Sequence, residues 1–215
     1  MARSGEPRSE ESPSRRSVPL PPFWKSTGFT PASLVFDEAM RWNLTLIASL
    51  PGPGIEYMRP HYLLDLVSTD ETGDWNWSLL DSALDILTGL GFKLIFELMG
   101  NPGERFNDFR DPKQLRRWQA FVGALLYHLE DRYGADVLET WYFESWNEPD
   151  IGSWWHQWPD PDAFCLYWDA CAAAFDRRNR SYRLGGPGTC NTASAVFRRF
   201  IDHCATEPNA VSGAG

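Results

Sequence analysis

Short apolar runs that alternate with one-sided helices limit this chain more than any other feature. Lys93-Leu94-Ile95-Phe96-Glu97-Leu98-Met99 is apolar on both faces. Asp111-Pro112 then opens a long helix, with Leu115, Trp118, Phe121, Leu125, Leu129 and Tyr133 along one side. Asp caps the free N–H groups, and Pro suits the first helical position, where no N–H is needed. The unit recurs: residues 140–146 form a second such run, and Asp160-Pro161 opens a helix with Phe164, Tyr167, Cys171 and Phe175 inward. Runs buried on both faces and separated by helices predict a parallel sheet covered by helices.

The remaining segments extend the pattern. Residues 44–50 read as a first buried strand, stopped by Pro51-Gly52-Pro53-Gly54, and residues 55–67 hold a second around Tyr57, Met58 and His61. Leu80, Ala83, Leu84, Leu87 and Leu90 mark a helix that Gly91 ends. Residues 182–188 are a short fifth strand, and Val196, Phe197, Phe200, Ile201 and Cys204 line a last helix. Two closures accommodate such a sheet, a (β/α)8 barrel or an open doubly wound sheet. No G-x-G-x-x-G loop follows the first strand, which disfavours a nucleotide-binding sheet. A complete barrel takes roughly 250 residues. At 215 residues and about five strands, the expectation is an α/β chain holding about the first five units of an incomplete (β/α)8 TIM barrel over residues 20–215, truncated before a sixth strand. Residues 1–19, rich in Ser, Arg, Glu and Pro, read as a disordered leader without the apolar segment of a signal peptide.

Composition narrows the partners. Net charge is −9 and no Lys/Arg run stands out, so nucleic acid is not an expected partner. No stretch of 18 apolar residues exists, so no membrane span is predicted. The four Cys lack C-x-x-C pairs, and the four His are scattered, so no metal site is expected and no cofactor is called for. Cys165 and Cys171 fall within a helix and read as buried thiols. Three sequons, at Asn43, Asn76 and Asn179, are weak pointers to secretion. Eleven Trp supply either core or flat sugar-stacking faces. Oligomeric state stays open.

The chemistry concentrates at Trp146-Asn147-Glu148-Pro149. A carboxyl group at the point where a buried strand stops is suited to general acid/base work on a glycosidic bond. Retaining hydrolysis needs two carboxyls about 5–5.5 Å apart, one donating a proton and one attacking the anomeric carbon. Glu148 is the candidate acid/base. In an ideal strand Tyr142, Glu144, Trp146 and Glu148 share one side, which makes Trp146 a sugar-contact candidate; Asn147 reaches the same rim if the strand end bulges. Pro149 ends the ladder. His61 stands near the end of the second strand. Glu97 and Glu144, inside strands, read as core carboxylates paired with a cation such as Arg59. His128 reads as packing or surface, and Trp154, Trp155 and Trp158 as loop packing or a sugar wall.

These residues, with Phe23-Trp24-Lys25-Ser26-Thr27-Gly28-Phe29, Phe96-Glu97-Leu98-Met99-Gly100 and Arg183-Leu184-Gly185-Gly186-Pro187-Gly188, resemble glycoside hydrolase family 39 over about residues 20–205. The resemblance implies a (β/α)8 catalytic barrel and retention at the anomeric carbon. It points to members that remove terminal α-L-iduronic acid from glycosaminoglycans such as dermatan and heparan sulfate. It implies Glu148 as acid/base, Asn147 as its sugar-binding partner and His61 as a sugar contact. It also implies a lysosomal or secreted setting and a carbohydrate substrate. The family's nucleophile is a Glu after the seventh strand, and no residue of this chain matches it. The chain alone is therefore expected to be inactive. Pro51-Gly52-Pro53-Gly54 also departs from the family, where a His follows the first Pro. The competing readings are a β-xylosidase of the same family and, from another class, a non-catalytic or degenerate sugar-binding fragment.

Overall fold

Five parallel strands stand side by side in the order in which the chain makes them. The computed structural model describes residues 24–50, 54–153, 155, 157 and 160–214. The expected leader, Pro51-Gly52-Pro53, Trp154 and Trp158 lie outside them. The main sheet joins β1 (Ser26–Phe29), β2 (Tyr57–Pro60), β5 (Lys93–Glu97), β6 (Tyr142–Glu144) and β7 (Arg183–Gly185), each parallel to its neighbour. A small antiparallel hairpin, β3 (Ser68–Thr69) with β4 (Trp75–Asn76), interrupts the second crossover. Among the described residues the strand order never reverses. A doubly wound sheet reverses at its switch point, so that arrangement is excluded for this sheet.

The helices follow the capping signals. α2 (Ser78–Gly89) buries Leu80, Ala83, Leu84 and Leu87. The side chain of Asp111 accepts from the Lys113 amide at 2.9 Å and starts α3 (Pro112–Tyr133), which buries Trp118, Phe121, Leu125 and Leu129. A short α4 (Ala135–Leu138) leads into β6. Asp160 caps α5 (Pro161–Asp176) through the Ala163 amide at 3.0 Å, and Ser194 caps α6 (Ala195–Thr206). Phe96 and Phe143 point to this helical layer, where Phe143 meets Phe175 of α5 at 5.1 Å between ring centroids. Cys165 and Cys171 are buried free thiols, as read from their helix. No helix among the described residues is long and apolar enough to cross a membrane.

The first strand is not where the apolar run suggested. Residues 44–48 of that run belong to α1 (Glu38–Ala48), capped by Asp37 through the Met40 amide. Met40, Leu44 and Ile47, spaced four and three apart, face the core, while Trp42 and Leu46 are exposed. A short apolar run does not distinguish strand from helix by itself, and the helical spacing upstream decides it. The true first strand, Ser-Thr-Gly-Phe, is short and mostly polar, and it pairs with β2 at one end of the strand order among the described residues. Gly28 is required there: a Cβ would sit 2.2 Å from the Arg59 carbonyl oxygen. The second strand is also shorter than expected, since Leu63–Leu66 coils into a 3-10 turn.

Candidate active site

Strand alternation sends Tyr57, Arg59, Lys93, Glu97, Tyr142 and Glu144 to the face away from the helices. Two layers result. Near the N-terminal ends, Tyr57 and Tyr142 pack at 5.2 Å, with Lys93 and Arg183 over their rings. At the C-terminal ends, Arg59, Glu97 and Glu144 meet. A cavity of about 390 Å³ lies on this face, lined by Ile95, Tyr142, Glu144, Leu184 and Gly186 among others.

Arg59 is the centre of the upper layer. Its Nε donates to Glu144 Oε2 at 2.7 Å and its Nη2 to Glu144 Oε1 at 2.8 Å. Nη2 also donates to Asn147 Oδ1 at 3.1 Å and lies 2.7 Å from Glu97 Oε1. Burial alone would lower the Arg59 pKa; the hydrogen-bonded Glu144 and the charges of Glu97, Glu144 and Glu148 raise it instead. Glu97 is fully buried, and burial pushes its pKa up against the pull of His61 and Arg59. Both strand carboxylates are thus held by Arg59, which leaves neither as a disengaged nucleophile.

His61 follows β2 directly. Its amide donates to the Phe29 carbonyl at 3.0 Å, and its own carbonyl accepts from Ala32 at 2.7 Å. The ring then places Nδ1 at 2.7 Å from Glu97 Oε2. Asn147 and Glu148 are set by pairing that outlasts the regular strand. Ser145 N–H donates to Gly185 O at 2.9 Å, Gly188 N–H to Trp146 O at 3.2 Å, and Glu148 N–H to Gly188 O at 2.8 Å. Gly188 leaves room for the ion pair beside it, because a Cβ there would lie 2.7 Å from Glu144 Oε1 and 3.1 Å from Arg59 Nη2. Glu148 is half-buried with φ at 49°. A left-handed backbone at a non-glycine residue before proline is strained, and such strain gathers at functional sites.

Of the sequence candidates, the fold brings together Asn147 and His61 around Arg59 and Glu97, with Glu148 close enough for its charge to act on Arg59. Trp146 is the exception. It is 2 % exposed and packs on Trp155 and on Tyr167 of α5, so it faces the helical layer. The regular ladder stops at Glu144, and the next inward side chain is Asn147, three residues on instead of two. That irregular step puts Asn147 where ideal alternation put Trp146. Trp155 is likewise core, stacked on Phe109 at 5.7 Å. His128 binds Asp81 at 2.6 Å and stacks on Trp77, a packing role as read from its helix. The bidentate grip of Arg59 on Glu144 was foreshadowed by the need of buried carboxylates for a cation; the part played by Gly188 had no signal beyond the glycine itself. No cluster of metal-ligating side chains occurs among the described residues.

Residues 10–212 match the family described as Glycosyl hydrolases family 39. The α-L-iduronidase of Canis lupus familiaris is 34 % identical over 210 residues, which cover 91 % of this chain and 32 % of that protein. A solved bacterial orthologue of human α-L-iduronidase matches with a TM-score of 0.84 and 42 % identity, over 90 % of this chain and 31 % of that one. A monomeric β-xylosidase from Caulobacter crescentus CB15 matches at 0.71 and 28 % identity, over 88 % and 40 %. The chain therefore spans about a third of the length of the dog enzyme.

Proposed function

We propose, since this chain belongs to glycosyl hydrolases family 39, that it carries the acid/base half of a retaining glycosidase site. In this reading the five parallel strands are the first part of a (β/α)8 barrel, whose chemistry sits at the C-terminal strand ends. Glu148 donates its proton to the glycosidic oxygen as the bond to the anomeric carbon breaks. A second carboxylate attacks that carbon from the other side and forms a glycosyl-enzyme bond. Glu148, now a carboxylate, takes a proton from water, and the water displaces the enzyme. The second carboxylate is assigned to a later strand of the full-length protein, because Glu97 and Glu144 are engaged by Arg59. Asn147 and His61 contact the sugar from the acid/base side.

The observation that carries this reading is the extended pairing of residues 145–148 with residues 185–188, which presents Asn147 and Glu148 beside the Arg59 cluster. The proposed substrate is terminal α-L-iduronic acid on a glycosaminoglycan, supported by the higher identity to α-L-iduronidases. Similarity to a β-xylosidase over 88 % of the chain supports a β-xyloside as the second reading. A panel of aryl α-L-iduronides and β-xylosides on the full-length protein separates the two. Glu148→Gln is expected to lower kcat on the accepted substrate by about 10²–10⁴. An unchanged kcat in that variant would remove Glu148 from the reaction.

A further inference from the structure

The pairing that carries Asn147 and Glu148 to the rim does not simply stop there. Gly188 N–H donates to Trp146 O at 3.2 Å, and Glu148 N–H to Gly188 O at 2.8 Å. Bonds of a parallel ladder are evenly spaced, so the next rung would carry the Cys190 N–H to the Glu148 carbonyl. That carbonyl is already engaged. It accepts from the Ile151 amide at 3.0 Å and closes the turn Glu148-Pro149-Asp150-Ile151, with Glu148 left-handed at its start. The Asp150 side chain takes the rung instead. Its Oδ1 accepts from the Cys190 amide at 3.2 Å and its Oδ2 from the Asn191 amide at 3.0 Å, with the Cys190 thiol 3.5 Å from Oδ2.

We propose that Asp150 is a positioning residue for the acid/base turn: its carboxylate replaces the rung that the Glu148 carbonyl withdraws, and so keeps Glu148 anchored to the loop after β7. The assignment rests on the reading of Glu148 as the acid/base. A left-handed residue before proline is unfavourable, and Pro149 has no N–H with which to hold the turn. Asp150 supplies an attachment on the far side of the strained residue, so the chain is tied at the Glu148 amide and again two residues on. The residue type suits the task. Two amides and a thiol converge on it, and a carboxylate has two acceptor oxygens where an amide side chain has one. Its charge also strengthens each bond. The segment it holds is ordered in turn: Asn191 Oδ1 accepts from the Ala193 amide at 2.8 Å, and Ser194 caps α6. The anchor thus runs from the acid/base turn to the start of the helix after β7. A proton donor must stay within hydrogen-bond reach of the oxygen it protonates. Loosening the turn should therefore slow a bond cleavage that needs the proton and spare one that does not.

Two measurements on the full-length protein test this. Hydrogen exchange read by mass spectrometry probes the clamp without turnover. In Asp150→Ala the amides of residues 190 and 191 are expected to exchange about tenfold faster, the worth of one hydrogen bond, and in Asp150→Asn by a smaller factor. Unchanged exchange in both variants overturns the clamp without bearing on Glu148. The second measurement is kcat/KM on aryl glycosides of the accepted sugar, which reports cleavage of the glycosidic bond. A weakly acidic phenol needs the proton to leave, and a dinitrophenol does not. Asp150→Ala is expected to lower kcat/KM about tenfold on the first and less than about twofold on the second. Asp150→Asn, which keeps one acceptor, should lose less on the first. Equal losses on both substrates would mean a merely structural role and overturn the proposal. Equal losses in the Asn and Ala variants would assign the effect to the missing charge and overturn it as well. Glu148→Gln should show the same dependence on the leaving group, more strongly. If it does not, Glu148 is not the acid and Asp150 positions no proton donor, whatever the exchange shows.

Discussion

Replacing Arg59 by Leu tests whether the upper layer is a charge cluster that the fold depends on. The substitution removes the cation from three acceptors, but they do not suffer equally. Glu144 keeps some access to water, and Asn147 loses one neutral acceptor bond. Glu97 is fully buried and is left with His61 alone. Breaking a buried pair from one side costs about 3–5 kcal/mol. Because only one of the two carboxylates is fully enclosed, we expect a loss near the lower end, about 3 kcal/mol at neutral pH. The pH dependence supplies the sharper check. Burial already raises the Glu97 pKa in the wild-type fold, and removing Arg59 raises it further. A carboxyl whose folded pKa exceeds its unfolded value, about 4.3, gives its full stability below that value and loses it as pH climbs through the folded pKa. The deficit of Arg59→Leu should therefore shrink as pH falls from about 7.5 to about 5. Each pH unit within that window is worth up to about 1.4 kcal/mol. Adding Glu97→Gln to Arg59→Leu should recover about 2 kcal/mol, since the uncompensated charge is gone. Urea unfolding followed by circular dichroism at the two pH values gives these differences, with an unchanged m-value as the sign of an unchanged transition. A deficit that is flat with pH, and no recovery in the double variant, would refute the account of Glu97 as a buried ion held by Arg59.

Two further outcomes follow from other contacts. His203 lies between Asp169 Oδ1 at 2.8 Å and Glu207 Oε2 at 2.9 Å, so both ring nitrogens face carboxylates. Burial would lower its pKa, yet Asp169 and Glu207 raise it. The stability it adds is complete below the unfolded pKa of about 6.5 and is lost as pH rises through the folded value, so His203→Ala should cost about 2 kcal/mol near pH 6 and less near pH 9, read from urea midpoints. Gly188→Ala places a methyl against Glu144 and Arg59, and should cost about 1–3 kcal/mol in the same assay while displacing the Glu148 backbone; a wild-type midpoint would show that the strand ends have room.

Where the chain carries local chemical punctuation, the fold was readable. Asp111-Pro112 and Asp160-Pro161 start helices where capping requires, and Gly134 ends α3 with φ at 85°. Residues 93–97 and 142–144 form strands within their apolar runs, with Leu94, Phe96 and Phe143 buried towards the helices and Glu97 and Glu144 meeting Arg59 on the other face. The failures lie at the sheet edge and in the loops. β1, Ser-Thr-Gly-Phe, is short and has a single large apolar residue, so hydrophobicity could not reveal it, and α1 absorbed the run that had been taken for it. The hairpin β3–β4 rests on two residues per strand, too few for any periodicity to register.

The site was legible in its residue types and illegible in its geometry, for a reason that Trp146 makes plain. Alternation along an ideal strand predicts direction only while the ladder is regular. Past Glu144 the pairing continues through single bonds to Gly185 and Gly188, and each inward position moves by one residue. Trp146 then joins Trp155 and Tyr167 in the core, and Asn147 takes the place beside Arg59. The exchange matches each residue to its surroundings. An indole at that point would bury a large apolar surface against a charge cluster and remove the acceptor that Arg59 Nη2 uses. An amide there satisfies the guanidinium, and the indole is worth more among aromatics. The same step leaves Glu148 in a left-handed turn before Pro149, with its amide tied to Gly188. Strain at that residue persists because the bonds on both sides of it over-determine the backbone. The side chain proposed to move the proton thus stands on backbone tied to Gly188, and a side chain at Gly188, pressed against Glu144 and Arg59, should disturb that tie.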